Sequence, residues 1–136
     1  MYPLKILLWL TGIACLLVAP AVFVPMSSWE PATTFFGVES LPESPIFEYI
    51  ARQLCTIFAG IGIYFIILGL HPLKYGVLVP FTGIFSILLG SVLIMVGIKV
   101  AMPPKWFLSD GISTLILGVL ILLFWLRAKK IVGRTV

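Results

Sequence analysis

Four stretches of the chain carry no charged residue. They are 6–29 between Lys5 and Glu30, 53–73 between Arg52 and Lys74, 75–98 between Lys74 and Lys99, and 111–126 between Asp110 and Arg127. About 20 apolar residues in a helix cross the hydrocarbon core of a bilayer. The first three runs reach that length. The fourth reaches it only if Asp110 is drawn into the span. The pattern predicts helices over about 4–25, 45–70, 75–99 and 105–127, with one longer connection over about 26–44. The expected architecture is all-α: one transmembrane domain over 1–136, folded as an antiparallel four-helix bundle.

Proline punctuates this plan. Pro25 closes the first helix. Ser44-Pro45 predicts a start for the second, with Ser as N-cap and Pro in the first helical position. His71-Pro72 predicts a tight turn, and Pro103-Pro104 separates the last two helices. Pro20 and Pro80 fall inside apolar runs, where a transmembrane helix tolerates a kink.

Composition agrees. Apolar residues make up 61% of the 136 and charged residues 10%. A soluble domain carries about 25% charged residues, so the bilayer is the solvent that suits this surface. The net charge of +4 does not point to nucleic acid, because no basic patch is interleaved with aromatic residues. The basic residues instead fix orientation. With both termini cytoplasmic, Lys5, Lys74, Arg127, Lys129, Lys130 and Arg134 lie inside, against Arg52, Lys99 and Lys105 outside. Glu30, Glu39, Glu43, Glu48 and Asp110 then all fall on the outer side. Tyr2, Trp9, Tyr75 and Trp125 anchor the inner interface, and Trp29, Tyr49 and Trp106 the outer one.

The first span imitates a cleaved signal through Lys5, its apolar core and Ala19-Pro20-Ala21, and Gly12-Ile13-Ala14-Cys15 brushes a lipoprotein site. Its uncharged run continues to Trp29, and a lipoprotein site prefers an aliphatic residue where Gly12 stands. The span is expected to stay attached.

Small residues recur at i, i+3 and i+7, which is one helical face. They are Gly12-Cys15-Ala19, Gly83-Ser86-Gly90 and Gly111-Thr114-Gly118. The second helix keeps Gly62 and Gly69 but places Phe65 between them, and extends its small face through Ala59 and Cys55. In lipid, such faces let helix backbones approach closely. These positions read as packing surface, with a ligand cleft as the alternative.

The same face of the second helix runs outward through Cys55 to Arg52 and Glu48. Arg52 and Asp110 both enter the spans to a similar depth, roughly 9–10 Å from the helix starts. Charges inside a span usually find partners. The expectation is an outer polar cluster: an Arg52–Asp110 pair, with Glu48 and Lys99 at its rim. Snorkelling of Arg52 and capping by Asp110 form the simpler alternative.

Other chemistry is sparse. His71 stands alone in a turn, and Cys15 and Cys55 form no C-x-x-C. No Ser/His/Asp set, phosphate loop or dinucleotide fingerprint occurs. No metal, cofactor or catalytic residue is predicted. The 26–44 connection, with Phe35-Phe36, is expected to lie on the bundle or the interface, or to cover the outer cluster.

The glycine-rich first span, Phe36-Gly37, Tyr49-x-x-Arg52, His71-Pro72 and Asp110 at the opening of the last span together resemble the small four-helix bacterial inner-membrane proteins of the DoxX-like and BphX-like kind. The resemblance implies a multi-pass protein of the cell membrane. Some DoxX-type proteins are membrane subunits of thiosulfate–quinone oxidoreduction, but this chain carries no distinctive motif for that activity. The functional expectation is a non-enzymatic subunit or scaffold that packs partner helices or lipid. The alternatives are a redox subunit binding quinone near Arg52 and Asp110, or a small carrier active only as an oligomer. The expected partners are the bilayer and either further copies or a larger membrane complex.

Overall fold

The computed structural model describes residues 2–38 and 44–132. Glu39, Pro42, Glu43 and Arg134, which entered the charge and turn arguments, lie outside the described residues. The described residues are mostly helical, with no strand among them. Its α-helices are α1 (Tyr2–Leu16), α2 (Glu30–Phe35), α3 (Pro45–Leu70), α4 (Leu78–Lys99) and α5 (Pro104–Val132). Four helical segments are long and apolar enough to cross a membrane: Tyr2–Val22, Pro45–Leu70, Leu78–Lys99 and Pro104–Ile131.

The first helix stops short of its predicted end. Pro20 has no N–H to donate, and the residue before a proline is pushed out of the α region. The chain answers by tightening. Val18 N–H donates to Cys15 at 3.3 Å and Ala21 N–H to Val18 at 3.0 Å, giving a 3-10 turn over Ala19–Val22 that prolongs the span. Pro25, at φ −58° and ψ 145°, then turns the backbone extended.

Past Pro25 the connection is more ordered than the sequence led us to expect. A 3-10 turn over Met26–Trp29 leads into the short helix α2. Pro31 fits the first turn of α2, where its missing N–H would lack a partner anyway. Gly37, at φ 87°, ends it in a Schellman motif. Val38 N–H donates to Thr33 at 3.0 Å and Gly37 N–H to Thr34 at 2.9 Å.

α3 begins at Pro45 and ends at Leu70, as the pattern predicts. Ser44 is extended but makes no side-chain cap; its carbonyl accepts Glu48 N–H at 3.0 Å. α4 starts three residues later than the predicted 75. Gly76 takes φ 34°, and successive turns occupy 71–77 before the helix begins. Pro80 therefore sits in the first turn of α4, where proline is tolerated, rather than as an interior kink. At its other end α4 closes on Ala101, a non-glycine residue at φ 51°. Met102 N–H donates to Gly97 at 3.1 Å and Ala101 N–H to Ile98 at 3.3 Å. α5 runs past Arg127 because Arg, Ala and Lys are strong helix formers and cations suit a helix C-terminus.

The helices associate in two pairs, α1 with α3 and α4 with α5. Each pair crosses on glycine. A Cβ built on Gly12 would lie 2.8 Å from the Gly62 carbonyl oxygen, and one on Gly62 would lie 2.7 Å from the Gly12 oxygen. Gly83 and Gly118, and Gly90 and Gly111, oppose one another in the same way. At every crossing the glycine also meets the residue four places after its partner: Ile66 and Leu16, Leu122 and Ile87, Leu115 and Ile94. Trp9 covers Gly69, and Phe107 covers Gly97. Lipid tails are as apolar as leucine, so this close backbone packing is what holds the pairs together.

The two pairs meet at one end. Leu4 and Leu8 of α1, Phe65 and Leu68 of α3, Val79 of α4 and Ile121 of α5 form the buried core, flanked by Tyr75, Phe124 and Trp125. Tyr64 and Thr82 share a hydrogen bond of 2.7 Å between α3 and α4. All of these lie towards the 71–77 connection.

Candidate functional site

Arg52 sits on the face of α3 that also carries Cys55, Ala59 and Gly62, as the spacing predicts. That face packs on α1, since Gly62 meets Gly12. Arg52 therefore reaches the end of the first span. Its Nη1 donates to the Val22 carbonyl, which the 3-10 turn leaves available. Its Nε and Nη2 donate to Glu48 Oε1 at 3.0 Å and 2.5 Å. This i,i+4 pair is half-exposed.

The expected Arg52–Asp110 pair is not formed. Asp110 belongs to α5, whose glycine face turns to α4 and not to α3. Among the described residues the only ion pair joins Arg52 to Glu48. Lys99 lies exposed in the last turn of α4 and forms no ion pair with Asp110. The structure thus brings together two of the four predicted cluster residues, Glu48 and Arg52, and leaves Asp110 and Lys99 separate.

Asp110 has a setting of its own. Away from the shared core, the two helix pairs leave two adjoining cavities. One, of about 520 Å³, is lined by Asp110, Ser109, Trp106, Phe36, Leu54, Phe58, Leu93 and Ser113. The second, of about 460 Å³, is lined by Thr11, Ala14, Cys15, Val18, Phe58, Ser113, Thr114 and Leu117. Phe58 and Ser113 border both, so together they form one groove. Asp110 lines one end of it, and a mostly apolar wall runs along the rest.

The mouth is aromatic. Phe36 meets the Trp106 ring edge to face, with centroids 5.3 Å apart and planes at 68°. A Cβ on Gly37 would touch Pro103 at 3.4 Å, so α2 is set down on the α4–α5 turn. The hydroxyls of Ser113 and Thr114 are spent on the Asp110 carbonyl, at 3.0 Å and 2.7 Å. They contribute little polarity to the groove.

Most predicted small residues serve the helix crossings. Gly12, Gly62, Gly69, Gly83, Ser86, Gly90, Gly111 and Gly118 are all buried. Cys15 and Thr114 differ, since they line the groove, while Ala19 enters the 3-10 turn and Ala59 is half-buried. Cys15 and Cys55 are both free thiols. His71 is exposed in its turn, and no set of three His, Cys, Asp or Glu side chains among the described residues is placed to hold a metal ion. The reasoning from sequence missed Phe58, Trp106 and Ser113 as lining residues. Their aromatic and hydroxyl side chains near Asp110 were the available signal, but nothing in the spacing says that α3 and α5 diverge.

No protein-family model matches this chain, and comparison with curated proteins and with solved structures gives no match either.

Proposed function

We propose that this is a non-enzymatic, multi-pass protein of the cell membrane that holds an amphiphile of the lipid phase in the groove between its two helix pairs. The spans run antiparallel in this reading, with both termini cytoplasmic. Contacts within each pair support the first point. Gly12 faces Gly62 while Val22, further along the first span, meets Arg52, earlier in α3. The Lys and Arg distribution supports the second. The likeness of layout to DoxX-like and BphX-like inner-membrane proteins stands as part of this proposal.

One observation carries the functional reading. The pairs share a packed core at one end and a lined groove at the other, with an acidic residue at its mouth. Concave, mostly apolar sites with a few placed polar groups are where small molecules bind. The glycine faces, by contrast, are occupied within each pair. Among the described span glycines only Gly60 has open space beside it for another helix. That weakens a role in gluing partner helices and favours the lipid-phase ligand.

The test is mass spectrometry of the protein purified in mild detergent. The wild-type protein is expected to carry a tightly held amphiphile. Ser113→Phe, which places a ring where the two cavities join, is expected to lower its occupancy at least tenfold without changing the melting temperature. Absence of any retained amphiphile in the wild type would refute the proposal. A quinone is the second reading, favoured by the aromatic rings of Phe36, Phe58 and Trp106. It is disfavoured by Arg52, the expected donor to a quinone carbonyl, being engaged elsewhere. The absorbance of the solvent extract separates the two.

A further inference from the structure

We infer that the groove's occupant is an amphiphilic cation, a single apolar tail carrying one ammonium head. This rests on the reading of the groove as a ligand site and names the chemistry it selects.

Charge is the first argument. Asp110 lies six residues past Pro104, about 9 Å along α5. Among the described residues its carboxylate has no ion-pair partner. The other carboxylate on a spanning helix, Glu48, is held by Arg52. An ionisable group inside a span is expensive unless paired. The missing countercharge is positive, and the groove leaves space for it beside the carboxylate.

The rings are the second argument. Trp106 and Phe36 stand at 68° to each other at the mouth, forming a corner, and Phe58 lines the same cavity. An ammonium group is attracted to ring faces as well as to a carboxylate, most strongly to Trp. An anionic head is repelled by the carboxylate, and a neutral head gains a hydrogen bond at most, without the charge attraction.

Depth decides the tail. Lys105 lies five residues before Asp110 on the same helix, about 7.5 Å nearer the helix start. Lys105 is not among the lining residues, so a zwitterionic phospholipid with its ammonium at Asp110 would leave its phosphate beside the carboxylate with no cation of the groove to meet it. A single-tailed amine runs the other way, past Phe58 and Ser113 towards Leu117, Val18 and Cys15. That direction keeps the tail on the apolar wall.

The experiment titrates the full chain in dodecyl maltoside with dodecyltrimethylammonium and, as its anionic counterpart, dodecyl phosphate, and reads bound ligand by native mass spectrometry. The wild type is expected to bind the ammonium probe at least tenfold more tightly than the phosphate probe. Asp110→Asn should abolish that preference and Asp110→Glu should keep it. Should Asp110→Asn fail to fold, the two probes on the wild type still decide. Equal binding of both probes, or an unchanged preference in Asp110→Asn, overturns the cation assignment and leaves the amphiphile groove standing. Binding of neither probe overturns both. Displacement of the ammonium probe by equimolar phosphatidylethanolamine would overturn the single-tailed choice.

Discussion

Gly118→Ala tests what holds the helices of a pair together. The added Cβ would lie 2.6 Å from the Gly83 carbonyl oxygen, 2.8 Å from Ile87 Cγ1 and 2.9 Å from Ile87 N. Two of these three atoms are backbone, so no side-chain rotation relieves them. Close carbon–oxygen contacts between helices settle near 3.3 Å, so α4 and α5 must part locally by about 0.7 Å. Overpacking of this kind costs about 1–3 kcal/mol. Alanine's better helix propensity returns up to ~1 kcal/mol. The expected net loss is about 1–2 kcal/mol, or roughly 4–8 °C in melting temperature for a domain of this size. Gly60→Ala is the control, because nothing lies within 4 Å of its Cβ position. It receives the propensity gain without the clash and should melt at or slightly above the wild type. The assay is thermal unfolding in detergent, followed by helical circular dichroism. If the two variants shift alike, glycine-mediated contact is not what sets the stability of the α4–α5 pair.

Three further variants test local geometry. Ala101→Gly should raise stability by about 1 kcal/mol, because a left-handed residue with a Cβ costs roughly 1–2 kcal/mol; the same unfolding assay reads it, and a destabilised variant would contradict the αL closure of α4. Arg52→Gln should lose about 1–3 kcal/mol, the scale of charged hydrogen bonds, and loosen the 19–38 segment towards protease. Glu48→Gln should cost less, since Arg52 keeps its bond to Val22. Equal losses in the two variants would mean that the Val22 contact contributes nothing.

Much of this fold was legible because charge-free runs of membrane length admit few readings. The bounds of α3 were readable to the residue, since Arg52 and Glu48 precede an apolar run and Ser44-Pro45 and His71-Pro72 flank the helix. Local rules account for the misjudged ends. Pro20 shortened α1, Gly76 delayed α4, and Lys129 and Lys130 prolonged α5 instead of ending it. The small helix α2 carried its own signals, Pro31 at the start and Gly37 just past the end, which the expectation of a simple connection passed over. The site was less accessible. Periodicity placed Arg52 on the Cys55–Gly62 face, but it could not say which helix covers that face. The covering helix is α1, and Asp110 was left to another part of the molecule. Cys15 and Thr114, counted among packing residues by spacing alone, line the groove because the pairs separate there.

Joining at one end has a mechanical consequence. If each glycine-crossed pair moves as a stiff arm, the shared core around Leu8, Leu68 and Ile121 is where the two arms would pivot. α4, with its 22 residues, is about 33 Å long. A rotation of about 5° at the pivot therefore swings the far end by roughly 3 Å while every glycine crossing stays intact. At that far end the contact of Phe36 with Trp106 is a clasp between the arms. Widening the aperture beside Asp110 would part Phe36 from Trp106 and lift Gly37 from Pro103, and in the proposed reading that opening would admit a guest sideways from the bilayer.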